Sequence, residues 1–313
     1  MPTLLDEPRT SDSQSASQRL RATMAAVRIA FTWFGVRKSL NTEQKAQAAD
    51  TFGAEGSFLS AGKKLIDTSH SAFKSVTSVR SSSQQYWRAM TVPYPEPGIR
   101  LIRRDEIEMF DIKLASLRQE LEEAVSVLDE HYADLKVAAR RRLGSLFSAS
   151  DYPATLDGLF TVAHDFPNVE PPAYLQQLSP ALFEEESRRV AARFDEAVAL
   201  AEQAFTEEFS KLVSHLTERL SGGDDGKEKI FRDSAVVNLV EFIGRFKHLN
   251  VRSNADLDAL VENAQRIVRN VQPQELRDNQ SLRQRITGQL AGVQSQVEGL
   301  LVDKPRRNIL RRK

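Results

Sequence analysis

The chain has 313 residues, 41% of them hydrophobic and 27% charged, and its 43 Lys and Arg balance 43 Asp and Glu. That length holds two ordinary domains or one elongated one. Zero net charge excludes a whole-chain field aimed at nucleic acid or membrane, so any such partner has to be met by a local patch.

With no cysteine in the sequence, disulfides, thiolate metal sites and a cysteine nucleophile are excluded, and a reducing compartment fits. No apolar run approaches the ~20 residues that cross a bilayer. The opening residues MPTLLDEPRTSDSQSASQ lack the basic start and apolar core of a signal peptide. The expectation is a soluble, cytoplasmic protein with no membrane association. Residues 1–20, rich in Ser, Gln, Asp and Pro, have too little apolar surface to pack and predict a disordered tail.

The first structured signal is MAAVRIAFTWFGVRKSL. Val27, Ile29, Phe31 and Trp33 alternate with Arg28, Ala30 and Thr32, which predicts a half-buried strand over 26–34. Residues 42–89 read as two or three short helices punctuated by Gly53, Gly56 and Gly62. The Ser-rich stretch 75–83 has poor helix propensity and needs tertiary packing to hold it. In VPYPEPGIRL, Pro93, Pro95 and Pro97 stop both helix and central strand. A short extended run over 99–103 follows, then Asp105 as a helix cap with Glu106 and Glu108 at the positive helix end. The PYPEPG run reads as the joint that delivers the chain from a head to a stalk.

The strongest pattern is the next helix. Ile107, Phe110, Leu114, Leu117, Leu121, Ala124, Leu128, His131, Leu135 and Ala138 keep a three–four spacing, a coiled-coil-like seam along one helix over 105–147. One more strand is predicted over 159–165, then a proline-bounded connection. A second long helix spans 180–221 on Phe183, Val190, Phe194, Phe205, Phe209 and Leu216, and SGGDDG ends it. Three amphipathic helices follow over 228–249, 254–271 and 279–302, with Ser253, Asp278 or Asn279 as caps.

Few residues assemble into recognisable chemistry. GSFLSAGKK at 56–64 departs from a phosphate-binding loop, because five residues separate Gly56 from Gly62 and Lys64 stands where a hydroxyl is needed. A helix–turn–helix corner is the expected reading. Of the five histidines (His70, His131, His164, His215, His248), none is paired at the i+3 or i+4 spacing that would put two ligands on one helix face. His131 reads as a seam residue bonded to an acidic neighbour and fixing register. Glu120, Glu122 and Glu123, and Glu184 to Glu186, fan around their helices as solvated faces. Arg140, Arg141 and Arg142 suit a helix C-terminus. Trp33 and Trp87 read as head-core residues. Lys304, Arg306, Arg307, Arg311, Arg312 and Lys313 make the last ten residues strongly basic. They suit phosphate or an acidic partner, but without an aromatic residue for base stacking. The sequence points to no catalytic residue, metal or cofactor.

At TWFGVRKSL (32–40) and VPYPEPGIRLIRRDEIEMF (92–110) the chain resembles a bacterial and phage family known only as domain of unknown function number 3150. The likeness covers about residues 25–250. It consists of a strand ending in Trp-x-Gly with basic residues, a Pro-rich lead into a long helix, and a second long helix. Members of that family are often encoded beside a MoxR-type AAA+ ATPase and a von Willebrand factor A protein. The resemblance implies a third component of such a chaperone-like system and supplies no catalytic residues.

The resulting expectation is a mainly α fold with a long antiparallel helical-hairpin stalk (105–147 and 180–221). A small three-stranded β head (21–104 and 148–179), additional C-terminal helices (227–302) and a basic tail (303–313) complete it. The seam Leu114, Leu117, Leu121, Leu128, His131 and Leu135 is the stalk interface. Functionally this suggests a non-enzymatic adaptor that binds a protein partner, an AAA+ ATPase among the candidates, or a second copy of itself. The alternative is a nucleic-acid-associated protein of a mobile element, acting through the basic tail. A hydrolase or metal enzyme is the remaining, disfavoured class.

Overall fold

A computed structural model describes residues 14–221, 233–269 and 271–302. In chain order, α1 (Ala16–Thr23) runs into β1 (Met24–Thr32), followed by β2 (Arg37–Ser39), α2 (Thr42–Asp50), β3 (Gly62–Lys64) and α3 (Ser71–Ala89). Next come β4 (Thr91–Pro93), β5 (Ile99–Arg103), α4 (Ile107–Glu130), α5 (Tyr132–Leu143) and β6 (Thr161–Asp165). The described chain closes with α6 (Tyr174–Leu178), α7 (Pro180–Ser221), α8 (Ser234–Leu249), α9 (Ala255–Val268), α10 (Pro273–Asp278) and α11 (Gln280–Val302). The fold is mainly helical, as expected, with a small antiparallel sheet.

That sheet holds four strands in the order β4-β5-β1-β6, not three. The unforeseen strand is β4, in the proline stretch: Val92 pairs Leu101 and Pro93 pairs Arg100 in an antiparallel hairpin. Pro93 sits at the end of a three-residue strand, where a missing N–H costs little. The supposed joint is therefore a hairpin, closed by Gly98 at φ 80°. A second, two-stranded sheet pairs β2 with β3.

The described residues divide into two compact units, one within Met1–Ala26, Met90–Arg104 and Asn168–Lys313, the other within Val27–Ala89 and Asp105–Pro167. This differs from the expected head and stalk, because the two long helices fall in different units. In the second unit α4 packs on α3 and β6. Leu121, Leu128 and Leu135 of the seam join Phe73 and Val76 of α3 and Val162 of β6 in one buried cluster. The three–four spacing thus marks a globular core face, which reads the same as a coiled-coil seam over few heptads. The serine-rich helix is held as its propensity requires. Phe73 and Val76 are buried, Tyr86 stacks on Phe110, and the buried Ser83 hydroxyl bonds the Val79 carbonyl.

The single helix expected over 105–147 is broken. α4 ends at Glu130, His131 bridges to α5, and 3-10 turns flank the pair at Arg104–Glu106 and Gly144–Leu146. His131 is exposed, whereas Leu114, Leu117, Leu121, Leu128 and Leu135 are buried. His131 is therefore not a seam residue; it occupies the helix break, where the stripe shifts. Asp105 does not cap α4: Glu106 holds the N-cap position, without a side-chain capping bond.

The first unit is built on α7, which packs against α11, α1 and α8. α7 buries Val190, Phe194, Ala197, Ala201, Phe205, Phe209, Val213 and Leu216; α11 answers with Ile286, Leu290, Val293 and Val297. Phe209 stacks on Phe242 of α8 at 5.5 Å, and Phe205 meets Phe246 edge-on at 5.1 Å. Residues 14–20, expected to be disordered, are ordered. Ser15 and Gln18 form a capping box that starts α1, and Leu20 is fully buried. Residues 1–13, SGGDDG beyond Ser221, and the basic tail Lys304, Arg306, Arg307, Arg311, Arg312 and Lys313 lie outside the described residues.

Candidate functional site

Four cations in the second unit lie on β2 and β3. Arg37 stands opposite Lys64 and Lys38 opposite Lys63, in antiparallel register. The ribbon is extended by Leu40 N–H to the Ala61 carbonyl at 3.1 Å and Leu65 N–H to the Val36 carbonyl at 2.8 Å. Directly opposed residues share a face, so the two like-charged pairs point to opposite sides.

One pair shares a single carboxylate supplied from inside the chain. Lys63 Nζ lies 2.7 Å from Asp151 Oδ2 and Lys38 Nζ 2.5 Å from Oδ1. The Lys63 and Asp151 side chains are 6% and 4% exposed, and Lys63 also donates to the Leu146 carbonyl at 2.6 Å. Hydrogen bonds from Lys38 and then Lys63 hold the Asp151 carboxyl below its ordinary range. The other pair, Arg37 and Lys64, is exposed and has no ion pair among the described residues.

Between the ribbon strands the chain makes an excursion over 40–61. Asn41 and Gln44 form a capping box that starts α2, Gly53 turns at φ 61°, and a 3-10 turn follows at Gly56–Phe58. Gly56 packs so closely that a Cβ there would meet the Ala46 Cα at 3.1 Å. The excursion presents Phe52 at 80% and Phe58 at 88% exposure. GSFLSAGKK is thus neither a phosphate-binding loop nor a helix–turn–helix corner. It is a 3-10 turn followed by a strand whose second residue, Lys63, is drawn inward by Asp151.

A cavity of about 420 Å³ opens between α4 and the loop that enters β6. Leu121, Val125 and Phe160 floor it, and Arg118, Glu122, Asp129, Glu130 and Asp157 rim it. Asp129 fastens the loop to the helix, accepting from the Leu156 N–H at 2.8 Å and the Thr155 hydroxyl at 2.9 Å. Arg118 donates to the Val162 carbonyl at 3.2 Å.

Two of the histidine contacts join positions that sequence spacing does not relate, and a third is an i,i+4 contact on α7. His70 and His131 come together with ring centroids 5.2 Å apart. His164 lies between Phe110 and Phe166, with Nε2 3.3 Å from Asp111 Oδ1. His215 accepts from Arg219 at 3.4 Å. No group of three or more His, Asp or Glu side chains among the described residues is placed to hold a metal ion. Arg142 does not serve the helix end alone: it pairs with Asp67 at 2.7 Å. Trp33 meets Phe160 edge-on at 4.9 Å and lies under the Arg80 guanidinium, so it packs half-buried against the core of the second unit.

In the first unit, α6 and the start of α7 present Tyr174, Leu178 and Leu182 at 63%, 77% and 52% exposure. Sequence periodicity had assigned these residues no role. No helix among the described residues is long and apolar enough to cross a membrane. No family model, curated protein or solved structure matches the chain.

Proposed function

We propose that the protein is a non-enzymatic adaptor that binds a protein partner through helical surface of its first unit. The observation that carries this reading is the exposed apolar group Tyr174 and Leu178 at the two ends of α6 and Leu182 in the first turn of α7, each more than half exposed. Single exposed apolar residues are ordinary, whereas three large ones within nine residues mark a surface that a partner covers. Exposing it costs solubility, which a partner removes.

The partner class follows from the resemblance at residues 32–40 and 92–110. A third component beside a MoxR-type AAA+ ATPase needs docking surface and no chemistry of its own, and long helices give surface and reach. The test is capture from the native host by tagged wild type and by a Tyr174→Ser, Leu178→Ser, Leu182→Ser variant, with nuclease and at moderate salt. An ATPase held by the wild type and lost by the folded variant supports the reading. Equal capture by both, or no ATPase with either, overturns it.

A further inference from the structure

We propose that the β2–β3 ribbon and its excursion form a binding surface for single-stranded nucleic acid. Arg37 and Lys64 take the phosphates, and Phe52 and Phe58 stack on bases. The inference concerns the second unit and is independent of the adaptor reading.

Like charges directly opposed across a ribbon destabilise it. The Lys38–Lys63 pair shows how the chain resolves this: Asp151 is brought between the two ammonium groups. On the other face Arg37 and Lys64 stand opposed, exposed and without a carboxylate among the described residues. An anion bound from outside would relieve that repulsion further than water and mobile counterions do.

The excursion that leaves and rejoins this ribbon identifies the kind of anion. Its two phenylalanines keep 80% and 88% of their surface in water. Burying either ring against the chain would gain about 2 kcal/mol, so the fold forgoes that gain twice within seven residues. Cations on the ribbon and open aromatic faces on the excursion joined to it suit a strand whose bases are unpaired, since every base offers a π-face and the backbone a charge. Duplex offers the charge alone. The excursion also carries Glu43, Asp50 and Glu55 against Lys45, which confines the positive field to the ribbon and disfavours a broad anionic lipid surface.

The test is fluorescence anisotropy with a labelled oligothymidylate and a duplex of equal length, on the full chain, over a salt series. Removing two phosphate contacts in Arg37→Ala/Lys64→Ala lowers the slope of log affinity against log salt by about 1.4. Phe52→Ala/Phe58→Ala weakens binding about tenfold or more with the slope unchanged, because stacking releases no counterions. Lys64→Glu gives the ribbon an attractive cross-strand pair, so it keeps the fold and abolishes binding. The basic tail is present in all variants. An unchanged slope in Arg37→Ala/Lys64→Ala therefore assigns binding to the tail and overturns the proposal. Equal affinity for duplex overturns it too, as does tighter binding to polyglutamate or to phosphatidylserine vesicles.

Discussion

Lys63 Nζ and Asp151 Oδ2 are 2.7 Å apart, with 6% and 4% of their side chains exposed, so one buried ion pair locks the ribbon to the turn after α5. Lys38 supplies the second cation from the solvent side. Breaking a buried pair from one side strands a charge, and the Leu146 carbonyl left to Lys63 does not replace a carboxylate. Asp151→Asn therefore costs about 3 kcal/mol, read by urea unfolding. Lys63→Met with Asp151→Asn recovers much of that loss, since no charge is then stranded. A cost below about 1 kcal/mol for Asp151→Asn would show the pair to be effectively solvated.

Asp67 carries the clearest pH signature. The Ser69 hydroxyl, and then Arg142, bond its carboxylate and hold it well below the ordinary carboxylate range. In the unfolded chain the same group titrates near about 3.9. The unfolded chain thus takes up the proton first as pH falls. The stabilisation is fully present above the unfolded value and is lost as pH falls through it toward the folded value. The unfolding midpoints of wild type and Asp67→Asn should differ by a constant amount from neutral pH to about 5 and converge below about 4. A difference independent of pH throughout would rule this out.

The seam makes a contrasting pair of predictions. Leu128 is fully buried in the core of the second unit, while His131, one turn on, is exposed at the break between α4 and α5. Leu128→Ala removes buried methyl groups and leaves a cavity, a loss of about 3 kcal/mol. His131→Ala falls within about 0.5 kcal/mol of wild type. Thermal or urea denaturation of the two variants decides it, and a large loss at His131 would restore it to the seam.

What the sequence displayed and what it hid follow from the range of the forces involved. Helical stripes on α4 and α7 and the alternation in β1 are local periodicities; β1 and α7 were legible within about two residues, and α4 was legible as a stripe but not in its break at His131. The capping box at Ser15 and Gln18 was equally local, yet the polar composition around it masked it. Which helix covers which stripe is not local. Leu121 meets α3 and Phe209 meets α8, although the two stripes read alike. β2 and β3 are three residues each, too short for a period of two to show. The charge arrangement of the candidate site was the least visible. Lys63 and Asp151 lie 88 positions apart in sequence, and nothing near either residue marks it as buried.

The proline stretch gives the last prediction. Gly98 turns between β4 and β5 at φ 80°, with the Ile99 N–H bonded to the Glu96 carbonyl at 3.2 Å. A Cβ at Gly98 would meet no atom within 4 Å, so any cost of adding one comes from the backbone alone. L-residues with a side chain pay roughly 1–2 kcal/mol for this left-handed conformation. Gly98→Ala should therefore destabilise by about 1 kcal/mol. Gly98→Asn should cost less, because asparagine tolerates positive φ. Equal stability of all three proteins in urea would mean that the turn relaxes to negative φ. The hairpin would then rest on the pairing of Val92 with Leu101, both almost completely buried, and not on the glycine.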